Sequence, residues 1–252
     1  MDRRKLSSAA EAIRNADSAV AMTGAGVSTA SGIPDFRSED GIWTRYDPNA
    51  FHISRFRTDP EGFWRERVEL IREAFGGDVE PNVAHEALAE LESAGHLDTL
   101  ITQNVDGLHR AAGSVDPVEI HGNGQRAVCT ECDRRFGIDP IVEQVDDGET
   151  PPTCDHCGGV LKPDVVLFGE RLPESDLLEA QTVSRDADVF LAIGSSLRVE
   201  PAASLPRHAL ERGGTLLIVN LECTELSDRA DFEFRADVTD ALPALVGAVI
   251  EE

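Results

Sequence analysis

The chain has 252 residues, with 47 Asp and Glu against 23 Lys and Arg, so its formal net charge at pH 7 is −24. No basic stripe is present to neutralise phosphates, which disfavours direct nucleic-acid binding. No run of 18 apolar residues occurs, which excludes a membrane-spanning helix and leads us to expect no membrane partner.

Lysine is almost absent from this acidic chain, since only Lys5 and Lys162 are lysines. Such a surface repels itself in dilute buffer, and molar salt screens the repulsion within about 3 Å. We therefore expect the cytoplasm of a salt-loving organism. The alternative is an ordinary acidic cytoplasmic enzyme.

Short apolar runs recur along the chain, and each ends in a polar or glycine-rich segment. Continuous Val, Ile and Leu runs of this length are typical of strands buried on both faces, as in a parallel sheet with helices above and below. They predict an α/β fold with a Rossmann-like, doubly wound parallel sheet. The runs are 19–22, 99–101, 118–120, 165–167, 189–193 and 216–219.

Two stretches break this pattern, one polar and aromatic and the other rich in cysteine. We assign both to a smaller helical and zinc-binding lobe. The predicted division is a Rossmann-like domain over 1–40, 82–124 and 163–252, and a small lobe over 41–81 and 125–162.

The loop Gly24-Ala25-Gly26 follows the first apolar run. Ser28 and the backbone amides after Gly24 can donate to a phosphate at a helix start. The loop lacks the third glycine of the dehydrogenase fingerprint, so an ordinary strand-to-helix turn is the alternative. Just downstream, a carboxylate, an aromatic ring and a guanidinium follow one another in Asp35, Phe36 and Arg37, which favours a ligand-binding loop.

Four of the five cysteines form two Cys-x-x-Cys pairs, Cys129 with Cys132 and Cys154 with Cys157. Two such pairs complete a closed tetrahedral Zn²⁺ site, which is structural because it leaves no position for substrate or water. Two disulfides, or four unrelated buried thiols, are the alternative, and the cytoplasmic setting disfavours disulfides.

These motifs occur in one order along nearly the whole chain, and together they resemble the sirtuin family of NAD-dependent protein deacylases. The segments that carry the resemblance are 24–28, 32–37, 102–109, 121–122, the four paired cysteines, 168–170, 194–197 and 220–222.

The resemblance implies a large lobe that binds NAD, a small zinc lobe and an acyl-lysine tunnel between them. The enzyme would transfer the acetyl group of an acetyl-lysine protein or peptide to ADP-ribose and release nicotinamide. His121 would act as general base, a role that suits a histidine at a strand end. Mono-ADP-ribosylation, or removal of longer neutral acyl groups, is the alternative. We expect His85 to be a satisfied core or surface residue and His109 to pack at a helix entry.

The resemblance also assigns ligand contacts, with Asn104 either taking part in catalysis or only capping a turn. The implied nicotinamide and ribose contacts are Gln103, Asn104 and Asp106; the implied phosphate, ribose and adenine contacts are Gly194, Ser195, Ser196, Asn220, Leu221 and Val238; and the implied substrate contacts are Val166, Phe168, Gly169 and Glu170.

The polar and aromatic insert, 41–81, indicates which acyl group the enzyme prefers. Sirtuins that remove succinyl or malonyl groups carry a Tyr and an Arg three positions apart here, and alignment places Arg67 and Leu70 at those positions. An acyl carboxylate would then lack its partners in an apolar tunnel. We therefore expect acetyl-lysine, or longer neutral acyl groups, to be preferred over succinyl-lysine, unless Arg65 or Arg67 reaches the tunnel from a shifted helix.

Overall fold

A computed structural model describes residues 2–35, 41–75 and 79–250. The helices are α1 Arg3–Arg14, α2 Ile42–Arg45, α3 Ile53–Thr58, α4 Pro60–Phe75, α5 Val83–Ser93, α6 Leu108–Ala111, α7 Ile138–Asp146, α8 Glu174–Asp186, α9 Leu205–Glu211 and α10 Val238–Ile250. The strands are β1 Ala19–Thr23, β2 Thr99–Thr102, β3 Val118–Glu119, β4 Gly122–Cys129, β5 Arg135–Gly137, β6 Leu161–Val165, β7 Val189–Ile193, β8 Thr215–Val219 and β9 Phe232–Phe234.

The large sheet is parallel throughout and has the order β3-β2-β1-β7-β8-β9. Successive side chains of each central strand point to opposite faces, and both faces are buried. Ala21 and Leu191 lie in the core formed with α1, α5 and α10, whereas Met22 and Ala192 lie in the core formed with α8 and α9. This arrangement confirms the predicted doubly wound sheet.

Strand β1 lies between β2 and β7, so the chain order reverses on either side of it. At such a reversal the loops that follow the strands diverge and leave a crevice beyond their carboxyl ends. Here that crevice is bounded by the segments that follow Thr23, Thr102 and Ile193.

A second, antiparallel sheet of order β5-β4-β6 forms the small lobe together with α3, α4 and α7. Its core is apolar and includes Trp64, whose indole Nε1 donates to the Leu161 carbonyl at 2.7 Å. The small lobe therefore has a core of its own.

The expected strand over 165–167 is wrong as a member of the large parallel sheet. The strand instead runs over Leu161–Val165 and pairs antiparallel with β4. Its residues alternate between buried and half-buried positions, with Lys162 and Asp164 on the less buried side. Such alternation is typical of an antiparallel sheet with one solvated face.

The small sheet begins at Gly122 and ends at Val165, so it extends past the predicted boundaries at 124 and 163. The division into two domains stays a prediction. None of the described helices is long and apolar enough to cross a membrane.

Candidate active site

His121 lies between β3 and β4, where the chain leaves the large sheet and enters the small one. Its Nδ1 is 2.9 Å from the Gln103 carbonyl oxygen. A carbonyl only accepts hydrogen bonds, so Nδ1 carries the proton and Nε2 keeps its lone pair. Burial lowers the pKa of His121 below its ordinary value, and the hydrogen bond to Gln103 opposes that shift only in part. The ring is therefore neutral at pH 7, with a basic Nε2.

Asn104 is fixed by the loop that follows β1. Its Nδ2 donates to the Gly24 carbonyl oxygen and to Ser28 Oγ, both at 3.1 Å. Both amide protons are thereby used, which leaves Oδ1 to accept from a ligand. Ser28 Oγ in turn donates to Asp106 Oδ2 at 2.7 Å. The structure thus brings three predicted site residues, Ser28, Asn104 and Asp106, into one hydrogen-bonded chain.

Asp106 is a buried carboxylate at the start of α6. Its Oδ1 accepts from the Leu108 amide at 2.9 Å. Burial raises the pKa of Asp106, while the hydrogen bonds from the Leu108 amide and Ser28 oppose the shift. The ionised carboxylate of Asp106 therefore lowers the free energy of unfolding at neutral pH.

Two buried histidines lie next to the hydrogen-bonded set of Ser28, Asn104 and Asp106. His85 Nε2 is 3.3 Å from Ser28 Oγ, and His109 Nε2 is 2.8 Å from Thr23 Oγ1. Their ring centroids are 4.8 Å apart, and burial lowers the pKa of His85 to about 4 and that of His109 to about 3. The contact of His85 with Ser28 was missed by sequence reasoning, because only the fold brings the start of α5 beneath the glycine loop. The capping spacing of Asn82 and His85 is the one local signal.

The two glycine loops touch through their backbones. A Cβ on Gly24 would lie 2.8 Å from the Gly194 carbonyl oxygen, and the Gly26 amide donates to the same oxygen at 2.9 Å. Gly194 itself has φ +57°, in the left-handed region. Glycine is required here for close packing of the loops that follow β1 and β7.

The segment around Ser28 differs from the helix start expected from the sequence. Residues Ala25–Val27 and Thr29–Ser31 form two short 3₁₀ turns rather than an α-helix. The Ser28 side chain is only 1% exposed, and its proton is donated to Asp106. The Ser28 hydroxyl is therefore hydrogen-bonded to Asn104 and Asp106, and its contact with a phosphate stays a prediction.

The remaining predicted cofactor residues lie at several separate places in the fold. Gln103 Nε2 donates to Ser195 Oγ at 2.9 Å, which joins the ends of β2 and β7. Ser196 and Asn220 are half-buried, Leu221 is 68% exposed, and Val238 packs in the core at the start of α10. Asp35 lines a cleft of about 350 Å³ that also includes Arg45 and Glu73. Phe36 and Arg37 lie outside the described residues.

The predicted substrate strip, 166–170, is tied to both lobes. The Val166 amide donates to the His121 carbonyl at 2.9 Å. Phe168 donates to Phe51 at 3.0 Å and accepts from Ile53 at 2.9 Å through its backbone. A peptide strand therefore cannot pair with Phe168 unless these bonds break. The Glu170 amide also donates to the Leu167 carbonyl at 3.0 Å, which leaves the Gly169 backbone and the Glu170 carbonyl for pairing.

The Glu170 side chain stabilises the strip from within. Its Oε2 accepts from the Leu167 amide at 2.8 Å and from Lys162 Nζ at 3.0 Å. Gly169 has φ +84°, and a Cβ there would lie 2.6 Å from His52 Nε2. Only glycine fits this turn without displacing His52.

The four paired cysteines converge at the far end of the small sheet. All four Sγ atoms lie within 4.8 Å of one another, with 3.4 Å between Cys129 and Cys157 and 3.8 Å between Cys132 and Cys154. A tetrahedral Zn²⁺ site with Zn–S bonds of about 2.3 Å has sulfur–sulfur edges of roughly 3.8 Å. The four residues therefore fit one structural zinc ion.

The model of the Sir2 family matches residues 24–201, from the first glycine loop through the segment after β7. The chain belongs to the Sir2 family. An NAD-dependent protein deacetylase of Haloarcula marismortui is 55% identical over 249 residues, which cover 98% of this chain and 95% of the relative. One from Sulfurisphaera tokodaii is 46% identical over 228 residues, covering 90% and 89%.

Solved structures of the Sir2 family share the fold. A Sir2 variant with a deacetylated p53 peptide and 3'-O-acetyl ADP-ribose has a TM-score of 0.85 at 37% identity and covers 94% of this chain and 95% of its own. A Sir2 homologue with NAD has a TM-score of 0.87 at 39% identity, covering 100% and 94%. The resemblance to sirtuins is thereby confirmed.

Proposed function

We propose that this Sir2 family protein is an NAD-dependent protein lysine deacetylase, which transfers the acetyl group of acetyl-lysine to ADP-ribose and releases nicotinamide. The observation that carries the proposal is the fixed tautomer of His121, whose Nδ1 donates to Gln103 and whose Nε2 is free to accept a proton. The full-length relatives that are NAD-dependent protein deacetylases support the same reaction.

NAD, when bound, supplies an electrophilic ribose carbon and nicotinamide as the leaving group. His121 Nε2 removes a proton from a ribose hydroxyl, and the Gln103 carbonyl keeps the ring in the required tautomer. Asn104 orients the ribose through Oδ1, because its amide protons are held by Gly24 and Ser28. Among the proposed phosphate contacts are Gly24, Gly26, Ser195 and Ser196, with Asn220 and Val238 near the adenosine.

The acyl-lysine lies along Val166 and Phe168 in this proposal, and the peptide pairs from Gly169 onwards. The zinc ion has no part in the chemistry, since four cysteines fill its coordination sphere. It stabilises the small sheet instead. A salt-loving source is supported by the Haloarcula relative, and the cytoplasmic location stays a prediction from the sequence.

The test is incubation of the purified protein with an acetylated peptide, with and without NAD, followed by mass spectrometry. We expect NAD-dependent loss of the acetyl mass from the peptide, with nicotinamide and O-acetyl-ADP-ribose formed in equal amounts. Gain of an ADP-ribose mass on a protein substrate without deacetylation would instead identify a mono-ADP-ribosyltransferase. Accumulation of NADH without nicotinamide would identify a dehydrogenase.

A further inference from the structure

A hydrogen bond between two side chains closes the turn that carries His121. Asn123 Nδ2 donates to Glu119 Oε1 at 2.6 Å. The Glu119 side chain is 9% exposed and Asn123 is 4% exposed, so the bond is shielded from solvent. His121 is the middle residue of the five that the bond spans. The two ends of the turn around the proposed base are therefore joined by a charge-assisted hydrogen bond.

The chain passes from one sheet to the other within this turn. Strand β3 ends at Glu119 in the parallel sheet, and β4 begins at Gly122 in the antiparallel sheet, so Ile120 and His121 lie outside both strands. Gly122 has φ +80°, and a Cβ there would collide with the Asp164 carbonyl oxygen. The bond between Glu119 and Asn123 thus constrains the backbone at the point where strand pairing is interrupted.

Glu119 also joins charged side chains from both sheets. Its Oε1 accepts from Arg110 Nε on α6, and its Oε2 accepts from Arg126 Nη2 on β4, both at 3.0 Å. Arg126 Nε and Arg135 Nε, from β4 and β5, both donate to Asp164 Oδ2 on β6 at 2.9 Å. The network that contains the Glu119 carboxylate therefore connects β3 of the large sheet with all three strands of the small sheet.

Asn123 extends these contacts to the loop proposed to hold nicotinamide and ribose. Its Oδ1 accepts from the Gln125 amide at 2.8 Å, and Gln125 Nε2 donates to the Asp106 carbonyl at 3.3 Å. The turn of His121 and the loop of Asp106 are thus linked through side chains as well as through the sheet.

Asp116 shows how an ordinary surface partner of the same arginine differs. It pairs with Arg110 at 3.4 Å, but its side chain is 91% exposed and it precedes the turn. Exposed pairs of this kind contribute little to stability. Without Glu119, Arg126 would keep Asp164 and Arg110 would keep Asp116, so neither cation would be left without a partner.

We propose that Glu119 is a positioning residue for the deacetylation reaction, which closes the turn around His121 and keeps Nε2 of the base aligned with the ribose hydroxyl. This inference rests on the proposed function. Glu119 acts through Asn123 and touches no reacting atom. A misplacement of about 1 Å can cost roughly 10²-fold in rate, so a small change in the turn is enough.

The test compares the wild type with Glu119→Ala, Glu119→Gln and Asn123→Ala. Asn123→Ala opens the same turn and leaves both ion pairs of Glu119 in place, so the test stands even if Glu119→Ala does not fold. The matched control is Asp116→Asn, because Asp116 has φ +57° and asparagine tolerates that conformation.

Two rates are measured with one acetylated peptide, deacetylation and the exchange of labelled nicotinamide into NAD. His121 acts in the proposed reaction only after nicotinamide has left, so exchange reports the step that does not need the base. We expect Glu119→Ala and Asn123→Ala to lower both kcat for deacetylation and the ratio of deacetylation to exchange by at least about tenfold. Glu119→Gln should recover part of the ratio, since its amide oxygen can still accept from Asn123, and Asp116→Asn should have the wild-type ratio.

A double-mutant cycle decides whether Glu119 acts through the base. In the His121→Ala background, Glu119→Ala should lower the remaining deacetylation by less than about threefold, because the residue that it positions is already absent. Effects that multiply in the double variant would overturn the proposal. Deacetylation and exchange that fall together in Glu119→Ala, or a wild-type ratio in Asn123→Ala, would overturn it as well.

Nitrogen-15 shifts of the His121 ring separate this inference from the proposed function, because they need neither NAD nor turnover. The wild type should show a protonated Nδ1 and an unprotonated Nε2 at neutral pH, as the contact with Gln103 requires. Glu119→Ala and Asn123→Ala should show a mixture of tautomers, and unchanged shifts in both would overturn the inference even in an active deacetylase. If the wild type does not turn over the acetylated peptide, the proposed function fails, and these shifts alone decide whether Glu119 positions the ring.

Discussion

The imidazole of His121 is bound through Nδ1 to the carbonyl oxygen of Gln103, the residue that follows β2. His121 follows β3, and Gln103 follows the neighbouring strand β2. The bond between them determines which ring nitrogen is basic.

A general base contributes roughly 10²–10⁴ in rate. We expect His121→Ala to lower kcat for deacetylation by at least 10²-fold, with NAD affinity and unfolding temperature close to wild type. His208→Ala, on α9, is the control. Wild-type turnover in His121→Ala would remove this residue from the mechanism.

The pH profile follows from the same environment. Burial lowers the pKa of His121 below the usual value of about 6.5, so the ring stays neutral and basic to a lower pH. The acid limb of kcat/KM should therefore have its midpoint below pH 6.5 and disappear in His121→Ala. A midpoint above pH 7 would show that the imidazolium is stabilised in the free enzyme, contrary to this environment.

The Asp106→Asn substitution should lower activity without lowering the unfolding temperature at pH 8. The folded pKa of Asp106 is raised, so its contribution to stability is fully present below its unfolded pKa of about 3.9 and is lost as pH rises through the folded value. Asn at this position cannot ionise, so this loss of stability at higher pH does not occur in the variant. We therefore expect the variant to unfold at pH 8 at a temperature equal to or above that of the wild type. Activity should fall at least tenfold, because the Ser28 contact that supports Asn104 is disturbed. Calorimetric unfolding at pH 5 and pH 8 checks the prediction, and a lower unfolding temperature at pH 8 would contradict it.

The zinc site is tested by Cys129→Ser and Cys154→Ser, since a structural site contributes folding energy directly. We expect either variant to lose stoichiometric zinc and to unfold at a lower temperature, with the small sheet affected first. Cys223→Ser is the matched control, because Cys223 is exposed and lies far along the chain from the four ligands. A Cys129→Ser protein with full activity, full stability and no zinc would rule out the structural role.

The acidic surface predicts a requirement for salt. With a net charge of −24, self-repulsion is strong in dilute buffer and is screened at molar KCl. We expect the unfolding temperature to rise steadily between about 0.1 and 2 M KCl and activity lost at low salt to return. Equal stability in dilute and concentrated KCl would remove the salt-loving interpretation while leaving the deacetylase proposal unaffected.

The features that the sequence predicts well are those whose chemistry is local. The spacing of the cysteine pairs specifies a tetrahedral site, and the continuous run 189–193 specifies a strand buried on both faces. Strand β9 was missed because it has three residues with Glu233 at its centre, which gives no apolar run. The assignment of 165–167 to the large sheet was wrong, because Lys162 and Asp164 were not recognised as the solvated half of an alternating strand.

The orientation of site side chains could not be predicted from the sequence, because it depends on contacts between distant segments. Ser28 turns inward because Asn104, Asp106 and His85 surround its hydroxyl. The first two residues come from the loop after β2, and His85 comes from α5. Arg67 is likewise buried beside a distant segment, since a Cβ on Gly124 would lie 3.6 Å from its Nη2.

The Val166 amide donates to the carbonyl of His121 at 2.9 Å. The general base and the strip proposed to hold the acyl-lysine share a backbone bond, next to the pairing of Gly122 with Val165. His121 is therefore held from two sides, by the Gln103 carbonyl after β2 and by the Val166 amide after β6. A displacement of the antiparallel sheet that keeps both bonds pivots near His121, so the base and the start of the acyl-lysine strip keep their separation while residues farther along the strip move.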